Sequence, residues 1–312
     1  MKVLIFGASG YIGNSVAKAF ALNGHITYGL IRKPEFVVQL IKDEIFPILG
    51  DITNPSTWLP TAQTVDLIID CTSEYNNPVE LFNIIFKNIV EISERRVQQG
   101  GDKLGYILTS GLWIYSSESP YTPKSEFTSL NTDLEIDKWR PPCEQIILKS
   151  NFINGVVIRP GATYGKSGSL TAQWFKDANG GDGKLIGIGN ENVRWAFVHV
   201  DDLADAYLRV AERINIVKSQ IFNVINNCSE SMGDVLKAVA RITGYEGEIK
   251  FREPQNELEI AMTQTGIFTN RKSQTLLGWH QKHFGFVDGI EICNNSLFIN
   301  EPLINLINLI NA

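Results

Sequence analysis

Four cysteines in 312 residues, at 71, 143, 228 and 293, form no CxxC pair. That spacing excludes a disulfide framework and the common zinc modules, so reduced thiols and no metal site are expected. Basic residues are not in excess: 28 Lys and Arg against 34 Asp and Glu leave a net charge of −6. A chain of that sign has no global field to hold nucleic acid or an anionic membrane, and neither partner is expected. No apolar run reaches the roughly 20 residues that a membrane-spanning helix needs. The first apolar run begins at residue 2. It leaves no room for a signal or transit peptide, and a cytoplasmic protein is expected. None of the 9 tyrosines has a lysine four residues later.

What is present is concentrated in the first thirty-odd residues. Lys2 to Phe6 is short, apolar and rich in β-formers, which predicts a buried strand. Gly7-Ala8-Ser9-Gly10-Tyr11-Ile12-Gly13 follows directly, and Asn14 to Leu22 places Val16, Ala17, Phe20 and Ala21 at helical spacing. Asn23-Gly24 stops that helix, and Ile26 to Ile31 predicts a second strand. A strand, a glycine turn, a helix and a parallel strand suit a diphosphate. The anion meets backbone N–H groups at the helix start, where the helix dipole favours negative charge. Gly7 and Gly10 allow the tight turn and that approach, and Gly13 lets helix and strand pack closely.

The second strand ends in Arg32-Lys33, where an NAD site commonly has an acid for the ribose hydroxyls. A guanidinium suits a 2′-phosphate instead, so NADP(H) is expected in preference to NAD(H). Further strands are predicted at Ile45–Leu49, Val65–Asp70, Tyr106–Thr109, Gly155–Ile158, Trp195–Val200 and Gln220–Ile225, with helices at Pro78–Gln98 and Ser231–Ile242. Pro141 and Pro142 favour another helix start, since proline is tolerated in the first turn. Glycine and polar residues dominate from Lys166 to Arg194, which predicts mobile substrate-side loops. The end of the chain, from Asn294, alternates asparagine with Ile and Leu.

The glycine segment GASGYIG resembles the extended short-chain dehydrogenase/reductase superfamily, of the NAD(P)-dependent epimerase/dehydratase type. Arg159-Pro160-Gly161-Ala162-Thr163-Tyr164-Gly165 is similar to the family's RPxxxYG segment, and Phe197 to Ala206 to its FVHVDDLADA element. Leu277-Gly278-Trp279 is similar to the ending of its late helix. The resemblance spans residues 1 to about 290. It implies an α/β fold: a Rossmann-like, doubly wound, mostly parallel seven-stranded sheet with a smaller C-terminal substrate lobe. The implied parts are 1–165, with 195–226 packing back onto it, and a lobe of 166–194 and 227–312.

The resemblance also assigns residues. Gly7, Ser9, Gly10, Tyr11, Ile12, Gly13, Arg32, Lys33, Asp51, Ile52, Cys71, Thr72, Ser110, Arg140, Pro160, Ala162 and Thr163 are its cofactor candidates. Gly111, Trp113, Lys166 and Arg194 are its substrate candidates. His199 and Asp201 are architectural. At the catalytic positions the sequence departs from the family. Aligned on Glu144, Gly111 stands for the serine, Ile136 for the tyrosine and Arg140 for the lysine. Ser110, one residue before, would point the other way on a continuing strand. Tyr164 is then the first candidate for proton transfer, with Tyr115 and Tyr121 behind it. Three functions stay open: an NADPH-dependent oxidoreductase on a small carbonyl or alcohol, a nucleotide-sugar epimerase or dehydratase, and an NADP(H)-binding sensor without turnover. A small-molecule substrate and a monomer or homodimer are expected.

Overall fold

The computed structural model describes residues 1–72, 76–115, 121–130, 134–166, 169–180, 184–283 and 285–297, with side chains through 293. The asparagine-rich tail therefore lies outside the described residues from 298 on.

Strands and helices alternate through the first half. They are β1 (Lys2–Phe6), α1 (Tyr11–Leu22), β2 (Ile26–Ile31), α2 (Val37–Lys42), β3 (Phe46–Leu49), α3 (Leu59–Ala62), β4 (Leu67–Asp70), α4 (Pro78–Gln98), β5 (Gly105–Thr109), α5 (Arg140–Lys149) and β6 (Asn154–Pro160). The second half holds β7 (Ala162–Tyr164), α6 (Ala172–Gly180), β8 (Leu185–Ile188), β9 (Arg194–His199), α7 (Val200–Glu212), α8 (Ile214–Val217) and β10 (Gln220–Val224). It ends with β11 (Ser229–Ser231), α9 (Met232–Thr243), β12 (Ile249–Arg252), α10 (Glu257–Met262), α11 (Arg271–Leu277) and α12 (Ile290–Leu297).

Seven strands form one sheet in the order β10-β6-β5-β4-β1-β2-β3, and each neighbouring pair is parallel. The strand order reverses between β1 and β4, and in open α/β sheets ligands bind at that crevice. Side chains alternate across the sheet. Val3 and Ile5 pack with Val16, Phe20, Leu203 and Tyr207 of α1 and α7. Leu4 and Phe6 pack with Phe82, Ile85, Ile89 and Ile147 of α4 and α5. Both faces are covered, so β1 reads as an unbroken apolar run rather than an alternating one.

The small lobe is built on two short sheets, β11-β9-β7 and β12-β8. Its core gathers Trp174, Phe175, Trp195, Phe197, Val235, Val239 and Phe286. The two parts share elements. β7 and β9 pair with each other in the small sheet, not in the large one. β9 serves both parts because its residues alternate: Trp195 and Phe197 enter the lobe's core, and Val198 enters that of the large sheet. In the other direction, Leu277 and Trp279 leave the lobe and pack beneath α7. The Trp279 indole N–H donates to the Asp202 carbonyl at 2.8 Å, which fixes that return. Two smaller differences are local. α1 begins at Tyr11 with Gly10 as its cap, and β6 runs on to Pro160, which pairs with Val224.

Candidate functional site

A cavity of about 970 Å³ opens where the strand order reverses. Its floor is the glycine turn. Gly7 has φ +76°, a conformation that only glycine adopts without strain. A β-carbon at Gly13 would stand 2.2 Å from the Gly7 carbonyl oxygen, so Gly13 is a packing glycine and does not line the cavity. Gly7, Ser9, Gly10, Tyr11 and Ile12 do line it. No side chain caps α1 there. The Tyr11 hydroxyl crosses to the lobe and donates to the Gly165 carbonyl at 2.5 Å.

The strand exits supply the walls. Arg32, at the end of β2, lines the cavity; Lys33 does not, and its ammonium sits 3.7 Å from the exposed Glu35 carboxylate. Gly50 and Ile52 line it, whereas the Asp51 carboxylate is turned to its own loop. It accepts from the Thr53 amide at 2.8 Å and the Thr53 hydroxyl at 2.7 Å. The hydroxyl bond is the leading reason that its carboxyl titrates below the usual range. Cys71 and Thr72 follow β4 and line the cavity. Burial pushes the Cys71 thiol up to about 12. Asp70 is held behind them by the Thr72 amide and hydroxyl and by the Tyr106 hydroxyl.

Beyond β5, Ser110, Gly111, Leu112, Trp113 and Tyr115 line the cavity. β5 ends at Thr109, so strand alternation no longer governs Ser110. Its amide still donates to the Ile158 carbonyl at 2.8 Å. Its hydroxyl is buried and has no hydrogen-bond partner among the described residues. Gly111 faces open space, since an added β-carbon would meet nothing within 4 Å. Arg140 lines the cavity with Asp137, whose carboxylate accepts from its Nε at 2.5 Å. The indole of Trp139 stacks beneath the guanidinium at 4.7 Å.

Of the three tyrosine candidates for proton transfer, Tyr115 lines the cavity and Tyr164 and Tyr121 do not. Tyr164 does not line the cavity; it is 1% exposed, and its ring packs edge-on against Phe197, His199 and Phe286. Burial raises its hydroxyl well above the ordinary tyrosine value. Tyr115 lines the cavity, but its hydroxyl is committed. It accepts from Arg159 Nη1 at 2.6 Å and donates to Asn223 Oδ1 at 3.0 Å. Tyr121 is 66% exposed and lies off the cavity. Ile136, at the family's tyrosine position, is not a lining residue either. Glu144, the residue that sets this register, forms a buried two-point pair with the Arg159 guanidinium.

Pro160, Ala162 and Thr163 close the wall beside β6, and the lobe contributes Ser169 to Gln173, Lys176, Arg194 and Phe268. Arg194 opens β9, lines the cavity and donates through Nη2 to the Ser229 carbonyl at 2.5 Å. Lys166 is not on the wall; it is half exposed and ion-paired with Asp201. His199 and Asp201 take architectural places: the imidazole caps α7 by accepting from the Asp201 amide at 3.2 Å. His199 also stacks on His283 at 3.6 Å.

Lys124, Asp137, Lys176 and Phe268 were not singled out from sequence. Lys124 lies in an irregular segment, and Lys176 is an exposed residue of α6, in a stretch where loops were expected, so no local pattern marks either as a site residue. Of the cavity's charged residues, Arg32, Lys124, Arg140, Lys176 and Arg194 are cationic and Asp137 alone is anionic among the described residues.

The sequence model of the NAD dependent epimerase/dehydratase family matches residues 3–224. An uncharacterised protein of Saccharomyces cerevisiae, YLL056C, is 23% identical over 301 residues, covering 93% of this chain and 98% of its own. A UDP-glucose 4-epimerase of Thermotoga maritima, solved with UDP-glucose, superposes with TM-score 0.76 at 16% identity, covering 95% of this chain and 98% of its own. A dTDP-glucose 4,6-dehydratase of Bacillus anthracis, solved with NAD, gives 0.77 at 16% identity over 97% and 98%. A UDP-glucose 4-epimerase of Thermus thermophilus, also with NAD, gives 0.73 at 18% identity over 95% and 99%.

Proposed function

We propose, for a chain that belongs to the NAD dependent epimerase/dehydratase family, the activity of an NADP(H)-dependent oxidoreductase on a small carbonyl or alcohol. The observation that carries it is Arg32 on the cavity wall at the end of β2; the Asp51 carboxylate that feels its charge is off the wall and bound to Thr53. The glycine turn fits the cofactor: Gly7 and Gly10 line the cavity without side chains, and α1 presents an uncapped N-terminus. The solved neighbours that carry NAD support a dinucleotide in this crevice. A nicotinamide held there supplies or accepts hydride. Arg32 binds the 2′-phosphate. Ser9, Tyr11, Ile12, Cys71 and Thr72 border the diphosphate and riboses, and Arg140, steadied by Asp137, holds the nicotinamide ribose. The unpartnered Ser110 hydroxyl hydrogen-bonds the bound molecule. Lys33 and Asp51, off the wall, shape their loops only.

Titrating both cofactors tests the reading. A charged hydrogen bond to the 2′-phosphate contributes about 1.5–3 kcal/mol, so NADPH binds roughly ten- to hundred-fold more tightly than NADH. Arg32→Ala erases that difference. Equal affinities in the wild type would sink the NADP(H) assignment. A panel of small aldehydes and ketones, followed by NADPH consumption, tests turnover; tight binding with no turnover favours the sensor.

A second reading, a nucleotide-sugar epimerase or dehydratase, is favoured by Arg194 on the part of the wall that the lobe contributes. It predicts that UDP- or dTDP-sugars bind and that Arg194→Ala weakens them.

A further inference from the structure

Carbonyl reduction needs a proton at oxygen, and oxidation needs the matching base. The cavity holds few groups able to exchange one. Tyr11 and Tyr115 have committed hydroxyls. Asp137 is paired with Arg140. Cys71 is held protonated by burial. The arginines do not exchange protons near neutrality. Lys176 is exposed.

Lys124 is different. It lines the cavity, yet it is only 6% exposed. No carboxylate among the described residues lies within ion-pair distance of its ammonium, which sits 5.6 Å from the centre of the Phe268 ring. Its backbone is pinned on both sides: its amide donates to the Ile267 carbonyl and its carbonyl accepts from the Thr269 amide, each at 2.9 Å. Phe268, between those two, packs edge-on to Tyr115 at 5.3 Å. Lys124 is therefore held on a fixed backbone beside Phe268, which packs with Leu112, Tyr115 and Ala196, and all five residues line the cavity.

We infer that Lys124 is the proton donor and acceptor of this cavity, in the place of the tyrosine that the chain lacks. The inference rests on the oxidoreductase reading. The hydride that reduces the carbonyl carbon comes from NADPH, which leaves as NADP+. The C=O π pair moves to oxygen, the N–H bond of the Lys124 ammonium breaks, and its proton forms the alcohol O–H. The neutral amine takes a proton back from water. Burial moves the amine in the required direction, below the ordinary lysine value. The segment paired with Lys124 presents Phe268 and no charge. Of the cavity's other charged residues, Arg32, Arg140, Lys176 and Arg194 are cations, and Asp137 is neutralised by Arg140. Glu126, two residues on, is engaged by the Asn223 amide at 2.8 Å and neighbours Lys272.

Two measurements test it. The first needs no substrate. The rate of amine acetylation is followed against pH by peptide mass spectrometry, with exposed Lys176 as the internal reference. Lys124 should deprotonate at a lower pH than the exposed reference; a shared midpoint would overturn the inference. The second is turnover of Lys124→Met and Lys124→Arg on whichever carbonyl the wild type reduces. Both should lose about a hundred-fold or more in kcat, with melting temperature and NADPH affinity unchanged. Arginine keeps the charge and cannot exchange the proton, so an active Lys124→Arg makes the group a charge anchor and overturns the inference. Turnover surviving in Lys124→Met overturns it alone. A folded, NADPH-binding wild type that reduces nothing on the panel overturns both it and the oxidoreductase reading.

Discussion

A single β-carbon decides the glycine turn. At Gly10 it would stand 3.1 Å from the Gly7 carbonyl oxygen, a contact that alanine nearly tolerates. The branches of valine would reach past it into the space before α1, where a diphosphate meets the helix. Gly10→Val should therefore cost NADPH at least ten-fold in affinity, roughly, while circular dichroism shows a folded protein. Normal binding by a soluble variant would remove the turn from the phosphate site. The turn and Arg32 were legible in the sequence because their constraints act within a few residues. Tyr164 was not, because its surroundings come from Phe197, His199 and Phe286, distant in the chain. Lys124 was hidden for the same reason: what buries it is a backbone pairing with residues 267–269.

Between elements, the main fixed point near the cavity is the pair that ties α5 to β6. Glu144 and Arg159 are 0% and 1% exposed at their side chains, and the guanidinium also holds the Tyr115 hydroxyl. Glu144→Gln leaves an arginine buried against a neutral partner, which costs about 3–5 kcal/mol. Urea unfolding should show the midpoint fall with an unchanged slope; a loss under about 1 kcal/mol would mean that the pair is solvated. Glu144 thus serves packing, whereas Arg140 lines the cavity and Ile136 does not. The α7 cap gives a second test. Burial, followed by the neighbouring His283, lowers the His199 imidazole to about 4 from its ordinary 6.5. The unfolded chain then binds more protons than the folded one between those values. Stability is full above pH 6.5 and falls as pH drops towards 4, by up to about 1.4 kcal/mol per pH unit. Asparagine also caps helices well, so His199→Asn should flatten that slope in unfolding curves taken from pH 7 to 4.5; an equally steep slope would place the proton elsewhere.

At the scale of the molecule, the large sheet was legible and the lobe less so. Strands β1 to β5 are each followed by a helix before the next strand, and burial on both faces writes apolar runs that stand out. The lobe's β7 and β11 have three residues each and pair through β9, which shares its faces between two cores. No short window of sequence carries that division. The same arrangement sets how ligands arrive. The chain carries a net charge of −6, yet this cavity is lined, among the described residues, by five cations and a single, already paired, carboxylate. Low-dielectric walls concentrate the field of those cations along the mouth, so a diffusing anion is repelled by the outer surface and drawn in at one place. Encounter is thereby gated by ionic strength. Raising salt from about 0.01 M to 0.15 M shortens the screening length from roughly 30 Å to 8 Å, and the opening's pull then ends close to its rim.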